Sequence, residues 1–338
     1  MRRAPWVLVA CGLPLVPLLS HAACPVWPAP QVDVVANGYY TDAKHSEVSA
    51  GLQAQNREST AVGRRFLAEV SRDADRFHGQ GQGQGQGDRA AADCALEGLV
   101  VWAKGGALLG RMVGPSHGQQ AEYERKWLLA GLSLAYLKLK PAASEAQRSV
   151  IEPWLGHVAD AMWIFWEDAA GRPRAHKRNN HYTWAGLALA ATALAQGDNM
   201  RWARAHRVFI DTLNEIDAQG RLPMEMARGA RALHYHAFTA GPLVVMAALS
   251  RSKGDDWLVQ GDAAARLQRL VDTILQGLQA PAVFSTQAQE MPSASTLAWL
   301  ALWRKQDRQP ERIAPWLAGV PSVPTLGGDL SLMARRPW

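Results

Sequence analysis

Leu128-Leu129-Ala130-Gly131-Leu132-Ser133-Leu134-Ala135-Tyr136-Leu137, followed by Pro141, reads as an apolar helix closed by a proline. Leu128 and Leu132 are four apart and Leu134 and Leu137 three apart. That spacing stacks side chains on a helix, whereas a half-buried strand would alternate. The same pattern recurs along the chain. Candidate helices cover residues 60–77, 91–113, 120–140, 144–168, 182–196, 200–217, 230–251, 256–278, 292–305 and 311–317. Breakers separate them: Gly114-Pro115, Pro141, Gly171-Arg172-Pro173, Gly197-Asp198, Gly220, Gly254-Asp255 and Pro281. Strand alternation is nearly absent. The reading is an all-α chain of helical hairpins laid side by side. Such hairpins can curl into an α/α toroid with a groove at one end, stack as an α-solenoid, or form an irregular bundle. No repeat of fixed length recurs, which argues against a regular solenoid.

Residues 1–22 read as a signal peptide: Arg2 and Arg3, an apolar run from Trp6 to Leu19, then the small Ser20-His21-Ala22. The run is too short to span a bilayer. No other stretch approaches a span, so no membrane insertion is expected. Lipid attachment at Cys24 is disfavoured, because His21 stands where a small aliphatic residue belongs. Export to a periplasm, or beyond the cell, is the expectation. The remainder, residues 23–338, shows no internal boundary and is expected to be one domain and a monomer; it is long enough for one large core. Cys11 leaves with the signal. Cys24 and Cys94 then form an even pair in an oxidising compartment. They read as a disulfide tying the N-terminus to a helix near Cys94, with two buried or free thiols as the other reading. Residues 24–57 look irregular. The tract His78-Gly79-Gln80-Gly81-Gln82-Gly83-Gln84-Gly85-Gln86-Gly87 has no apolar residue, and residues 78–88 are expected to form a mobile surface loop.

The formal charge is +6, and +4 without Arg2 and Arg3. An exported basic protein lacking Lys/Arg runs is a poor nucleic-acid binder. A polyanionic polysaccharide fits the balance better, since a positive cleft raises encounter rates. Simple solubility explains it equally well.

Two clusters carry candidate chemistry. The first is Lys177-Arg178-Asn179-Asn180-His181-Tyr182-Thr183-Trp184, at the mouth of the apolar helix Ala185–Gln196. A helix start offers unpaired N–H groups and positive dipole, which welcome a carboxylate. Asn179 or Asn180 suits the cap, and His181 titrates near neutral pH. The triplet reads as a capped helix start or as half of a site. Trp184 is core or a face on which a sugar can stack. The second cluster is Glu225-Met226-Ala227-Arg228-Gly229-Ala230-Arg231-Ala232-Leu233-His234-Tyr235-His236. Arg228 offers a permanently charged fork to a carboxylate. Tyr235 can exchange a proton if a nearby cation lowers its pKa. Histidines at i and i+2 on a helix point apart, and no acidic or Cys partner accompanies His234 and His236, so no metal is expected. Glu124-Arg125-Lys126-Trp127 and Trp102-Ala103-Lys104 pair a cation with a sugar-sized ring, or else simply pack. Tyr39, Tyr40 and Lys44 form a polar aromatic segment near the N-terminus. No nucleotide-binding glycine loop, Gly-x-Ser-x-Gly or His-Glu-x-x-His is present. No cofactor is expected.

Asn, His, Arg and Tyr without a conspicuous acidic pair do not suit glycoside hydrolysis, which needs two placed carboxylates. They suit elimination. In a uronic-acid polymer the C5 proton lies α to a carboxylate, and its removal needs that carboxylate neutralised while a base and an acid act on C5 and the glycosidic oxygen.

At this point the chain resembles a known family. Lys126-Trp127, Asn179-Asn180-His181-Tyr182-Thr183-Trp184, Leu222-Pro223-Met224-Glu225, Arg231-Ala232-Leu233-His234-Tyr235-His236 and Leu326-Gly327-Gly328 resemble, in the same order, the alginate lyases of polysaccharide lyase family 5. The resemblance runs from about Tyr39 to Leu330, and its specific parts are the Asn-Asn-His and Arg-x6-Tyr elements. It implies an incomplete α/α toroid with a substrate groove. It also implies metal-independent β-elimination of poly-β-D-mannuronate, leaving unsaturated uronate ends. The catalytic set falls on Asn180, His181, Arg228 and Tyr235. Tyr235 would take the C5 proton and protonate the leaving oxygen, a syn route suited to mannuronate. Asn180, His181 and Arg228 would neutralise the carboxylate, with His181 the base if the proton lay on the opposite face. Substrate contacts would fall on Tyr40 and Lys44, in a lid segment Tyr39–Ser46, and on Lys126, Trp127, Trp184 and His234. The chain departs from the pattern at Thr325, where many members carry Arg. That bears on the choice among mannuronan, glucuronan and hyaluronan more than on the reaction.

Overall fold

Helices form where the leucine and alanine runs predict them, and their ends are set by caps. The computed structural model describes residues 24–79, 88–168, 174 and 178–338. The elements are β1 (Val34–Val35), α1 (Ala50–Ser59), α2 (Ala61–Gly79), α3 (Arg89–Lys104), β2 (Met112–Val113), α4 (Pro115–Leu139) and α5 (Glu145–Trp163). There follow α6 (Asn180–Gln196), α7 (Asn199–Asn214), α8 (Pro223–Met226), α9 (Ala232–Ser252), α10 (Ala263–Gln279), α11 (Ala294–Leu297), α12 (Leu300–Trp303) and α13 (Leu330–Arg335). The break at Gly197-Asp198 has a simple origin. Gly197 ends α6 in the left-handed region at φ 72°, and the Asp198 side chain caps α7 by accepting from the Arg201 N–H. Ser144 and Gln147 start α5 with a reciprocal capping box.

Four helices, α2, α4, α6 and α9, stand in consecutive contact; α3 packs on α2 and α5, α5 on α6, α7 on α6, and α10 on α9 and α7. The division follows polarity. In α4, α6 and α9 buried residues fall on nearly every face, as expected for α6 and α9, which are apolar nearly all round. In α2, α7 and α10 they fall on one side only. This is the α/α toroid, left open: α2 and α9 are bridged by the 3-10 turn Pro324–Leu326, which packs on α2, α4 and α9. Gly131 makes that approach possible, since a Cβ there would lie 2.5 Å from the Pro324 carbonyl oxygen. The buried Lys138 ammonium donates to the Gly327 carbonyl and pairs with Asp75, and Asp75 also accepts from the Asp329 N–H at 2.9 Å. Leu326-Gly327-Gly328 therefore spans the opening between α2 and α9. One apolar core runs from Val34 to Met333.

Several expectations are corrected. The helix expected over 91–113 stops at Lys104, and Met112–Val113 pairs in parallel with Val34–Val35. Helix α1 lies in the segment read as irregular. The helix expected over 256–278 begins at Ala263, 292–305 splits into α11 and α12, and 311–317 is 3-10 turn. Gly229–Ser252 is, by length and composition, apolar enough to cross a bilayer, contrary to the reading of the sequence; here it is a core helix with 89% of its most apolar window buried. Cys24 and Cys94 form the expected disulfide, with Cys94 on α3. The signal segment and residues 80–87 of the Gly/Gln tract lie outside the described residues. His78 and Gly79 belong to α2, and Asp88 caps α3.

Candidate active site

The cleft lies where α6, α8 and the turn before α9 begin. Its wall is drawn from Lys44, His45, Gln119, Tyr123, Asn179, His181, Met224 and Arg228 among others, around a space of about 570 Å³. Asn179 caps α6, its side-chain oxygen accepting from the His181 N–H at 3.0 Å. Asn180, fully buried, sits one residue further. Its backbone N–H and its side-chain amide both donate to Glu225 Oε1, at 2.6 and 3.0 Å. A carboxylate does meet the start of α6, but it belongs to Glu225 rather than to a ligand. The other oxygen of Glu225 takes the Arg228 Nε–H at 3.4 Å. Burial raises the Glu225 carboxyl above its ordinary value, opposed by Arg228 and by both Asn180 donors.

Arg228 also donates through Nη1 to the Lys44 carbonyl at 3.0 Å, and its guanidinium lies 5.1 Å from the centre of the Tyr235 ring. Thus Arg228 joins the floor of the cleft to the segment Tyr39–Ser49, a hairpin pinned by the Thr41 N–H to Glu47 and the Ser49 N–H to Tyr39 bonds. Its turn is built on Asp42, which accepts from the N–H groups of Lys44, Ser46 and Glu47. Burial works against that carboxylate, but these hydrogen bonds bring it down to about 2. The hairpin sets Tyr40 over Tyr235, their hydroxyl oxygens 2.5 Å apart. Arg231 Nη1 donates to the Tyr40 hydroxyl at 2.6 Å. The cation that reaches the Tyr235 proton is therefore Arg231, through Tyr40 and from 5.2 Å off the Tyr235 ring. Burial and then Tyr40 push the Tyr235 phenol well above its ordinary value, with Arg231 pulling the other way.

His181 is stacked on Tyr123, with centroids 3.7 Å apart, and its Nδ1 lies 3.0 Å from Lys126 Nζ. Burial, and then the charges of Lys126, Arg228 and His45, hold the ring well below its ordinary pKa, so it is neutral at physiological pH. Lys126 is 0% exposed and Trp184 3%. Neither offers a surface to a sugar: Lys126 serves His181, and the Trp184 indole donates to the Phe238 carbonyl while packing on Trp127 and Phe238. Trp127 is half-buried and forms part of that same layer. His234 is half-buried against Tyr235 and Phe238, and burial followed by Arg231 lowers it to about 4. His236 turns into the core, where Nε2 accepts from the Leu222 N–H at 2.8 Å and so fixes the turn that carries Glu225. The two histidines do point apart. Trp102 is fully buried, donating to the Pro28 carbonyl.

The structure thus brings together Tyr40, Lys44, Asn179, Asn180, His181, Arg228 and Tyr235. It adds Glu225, Tyr123, His45 and Arg231, to which reading the sequence assigned no role. Glu225 had a signal, an acidic residue in the first turn after Leu222-Pro223. Tyr123 and His45 had none, because their importance is purely one of contact.

Helices ringed around a cleft of neutral donors, a fixed guanidinium and a tyrosine pair define a polysaccharide lyase built on an α/α toroid. The model of the alginate lyase family matches residues 33–284, and the chain belongs to that family. A polysaccharide lyase of Stenotrophomonas maltophilia strain K279a is 39% identical over 322 residues, covering 94% of this chain and 92% of that protein. An alginate lyase of Pseudomonas putida strain F1 is 33% identical over 245 residues, 65% of this chain and 64% of that one. In fold the chain is similar to crystalline alginate lyase A1-III of Sphingomonas species A1, with a TM-score of 0.75, 21% identity and coverage of 93% of this chain and 86% of that one. A variant of that lyase complexed with a tetrasaccharide gives a TM-score of 0.77 at 20% identity, over 96% and 91% of the two chains.

Proposed function

We propose that the protein cleaves mannuronate-rich alginate by β-elimination, with its neutralising charge supplied by protein side chains and no metal. The observation that carries this reading is the Tyr235–Tyr40–Arg231 chain of hydroxyl and guanidinium contacts at 2.5 and 2.6 Å, with Arg228 beside the Tyr235 ring. Tyr235, deprotonated to its phenolate, takes the C5 proton. The C5 electron pair forms the C4–C5 double bond, the C4–O bond breaks, and Tyr235 returns its proton to the departing oxygen. Arg228 and His181 neutralise the substrate carboxylate, and the buried Asn180 holds the Glu225 carboxylate that anchors Arg228. One catalyst serving both C5 and the leaving oxygen suits the syn arrangement of mannuronate. Incubation with polymannuronate should raise the ultraviolet absorbance of unsaturated uronate, unchanged by a chelator. No rise at any pH from ~5 to ~9, the range around neutrality in which acid–base catalysis operates, contradicts the reading; loss of activity on chelation contradicts its metal-free part.

A second reading keeps the chemistry and changes the polymer to glucuronan or hyaluronan. Thr325 favours it, standing in the bridging turn where many relatives carry Arg. Initial rates on the three polymers side by side decide between them. A purely binding protein is a poorer account, because retention alone does not need a tyrosine pair tied to an arginine. We further propose that the protein is exported to the periplasm, which the Cys24–Cys94 disulfide supports; recovery of the oxidised protein in the cytosolic fraction would contradict it.

A further inference from the structure

We propose that Lys126 is a positioning residue that locks His181 as the Nε2–H tautomer, making it a hydrogen-bond donor to the substrate and denying it the role of base. This rests on the reading of His181 as a substrate contact. The Lys126 side chain is wholly buried on α4, with its ammonium 4.2 Å from the Tyr123 ring centre and 4.0 Å from that of Trp127. Trp166 lies beyond, at 5.5 Å. Among the described residues its hydrogen-bonding partners are the Tyr123 carbonyl at 3.5 Å and His181 Nδ1 at 3.0 Å. Aromatic faces and a carbonyl accept N–H groups and give none. With Lys126 protonated, every neighbour of its nitrogen among the described residues calls for a donor, and Nδ1 is the acceptor. A neutral imidazole that accepts at one nitrogen carries its proton on the other.

His181 is neutral for the same reason that it is held: it is buried and faces Lys126, Arg228 and His45. Burial pushes the Lys126 ammonium well below its ordinary pKa, opposed by Glu124 and Glu122, and Glu124 is already bonded to Arg64 at 2.6 Å. The stacked Tyr123 ring fixes the imidazole plane. With Nδ1 facing Lys126 and the ring at the cleft wall, Nε2 is the nitrogen left for the ligand. It presents a proton and no lone pair. Abstraction from the face opposite Tyr235 therefore has no base, which restricts the enzyme to the syn reaction.

The test begins with the wild-type protein, whose tautomer can be read without any substitution. Two-bond nitrogen–proton correlation spectra of imidazole-labelled protein should show His181 protonated at Nε2 and bare at Nδ1 throughout pH ~5 to ~9. A proton at Nδ1, or a doubly protonated ring, overturns the proposal. In Lys126→Met the His181 signals should become a tautomer mixture with an imidazole titration near the ordinary pKa of ~6.5. There kcat on polymannuronate should fall about tenfold or more, while KM changes little. Lys126→Arg, if folded, should keep the Nε2–H pattern. An unchanged tautomer in a folded Lys126→Met protein also overturns the proposal. If wild type shows the Nε2–H form but cleaves no uronan, the lysine's role stands and the proposed function fails.

Discussion

Tyr235 and Glu225 face charge problems of opposite kinds. Tyr235 must give up a proton in a buried place that keeps it protonated. Contact with Tyr40 brings Arg231 to bear on that proton, so turnover should rise toward alkaline pH as Tyr235 ionises. Tyr235→Phe should lower kcat by a factor of about 10² to 10⁴ while calorimetry still records polymer binding; full turnover in that variant would remove Tyr235 from the mechanism. Tyr40→Phe should lower kcat about tenfold, by cutting the path from Arg231. Glu225 must stay ionised to hold Asn180 and Arg228. Burial raises its pKa above the ordinary 4.5, so as pH falls it takes up a proton earlier than an exposed carboxyl. The activity it supports is present above that raised pKa and lost on the acid side. Glu225→Gln should lower kcat/KM some ten- to hundredfold, the worth of charged hydrogen bonds, and remove that acid limb from the pH profile. Persistence of the limb would assign it to another group.

Among the elements, α6 shows what a sequence can and cannot reveal. Its apolar run, its Asn179 cap and its Gly197 end are local, so they can be read from neighbouring residues. Its partner Glu225 is 45 positions away, and no periodicity announces such a pairing. The same limit explains Lys126 and Trp184. A cation beside a Trp, and a Trp at a helix mouth, read as sugar contacts until α4 and α9 are packed on α6 and cover them. Arg228 and Tyr235 were legible because their chemistry is unusual for a core; Tyr123 and His45 were not, being ordinary residues made important by a stacked ring and a hairpin turn. The helix end misplaced at Lys104 precedes a long-range β pair, Met112–Val113 with Val34–Val35, that no local propensity announces. Two element-scale outcomes can be measured by urea denaturation. Gly131→Ala should cost about 1–3 kcal/mol, since the methyl group would meet the Pro324 backbone. Cys24→Ser should cost about 2–4 kcal/mol, by freeing a loop with a sequence separation of 70. No loss in Gly131→Ala would mean the bridging turn is not tightly seated.

At the scale of the whole molecule, the open toroid explains why the site stands where it does. The start of α6, the 222–231 turns before α9 and the early part of α4 come to one cleft, and the 39–49 hairpin lies across it. Lys44 and Arg228, beside His45 and His181, give that cleft a positive lining matched to a polyanion. Salt should accordingly raise KM for polymer more than it lowers kcat, because exposed charges are screened over about 10 Å at ~0.1 M salt. The most direct test is a paired assay on polymannuronate and polyguluronate, following unsaturated uronate with wild type and Tyr235→Phe. The account predicts product from polymannuronate with wild type alone, and little from polyguluronate. Equal cleavage of both polymers, or product formed by Tyr235→Phe, would contradict it.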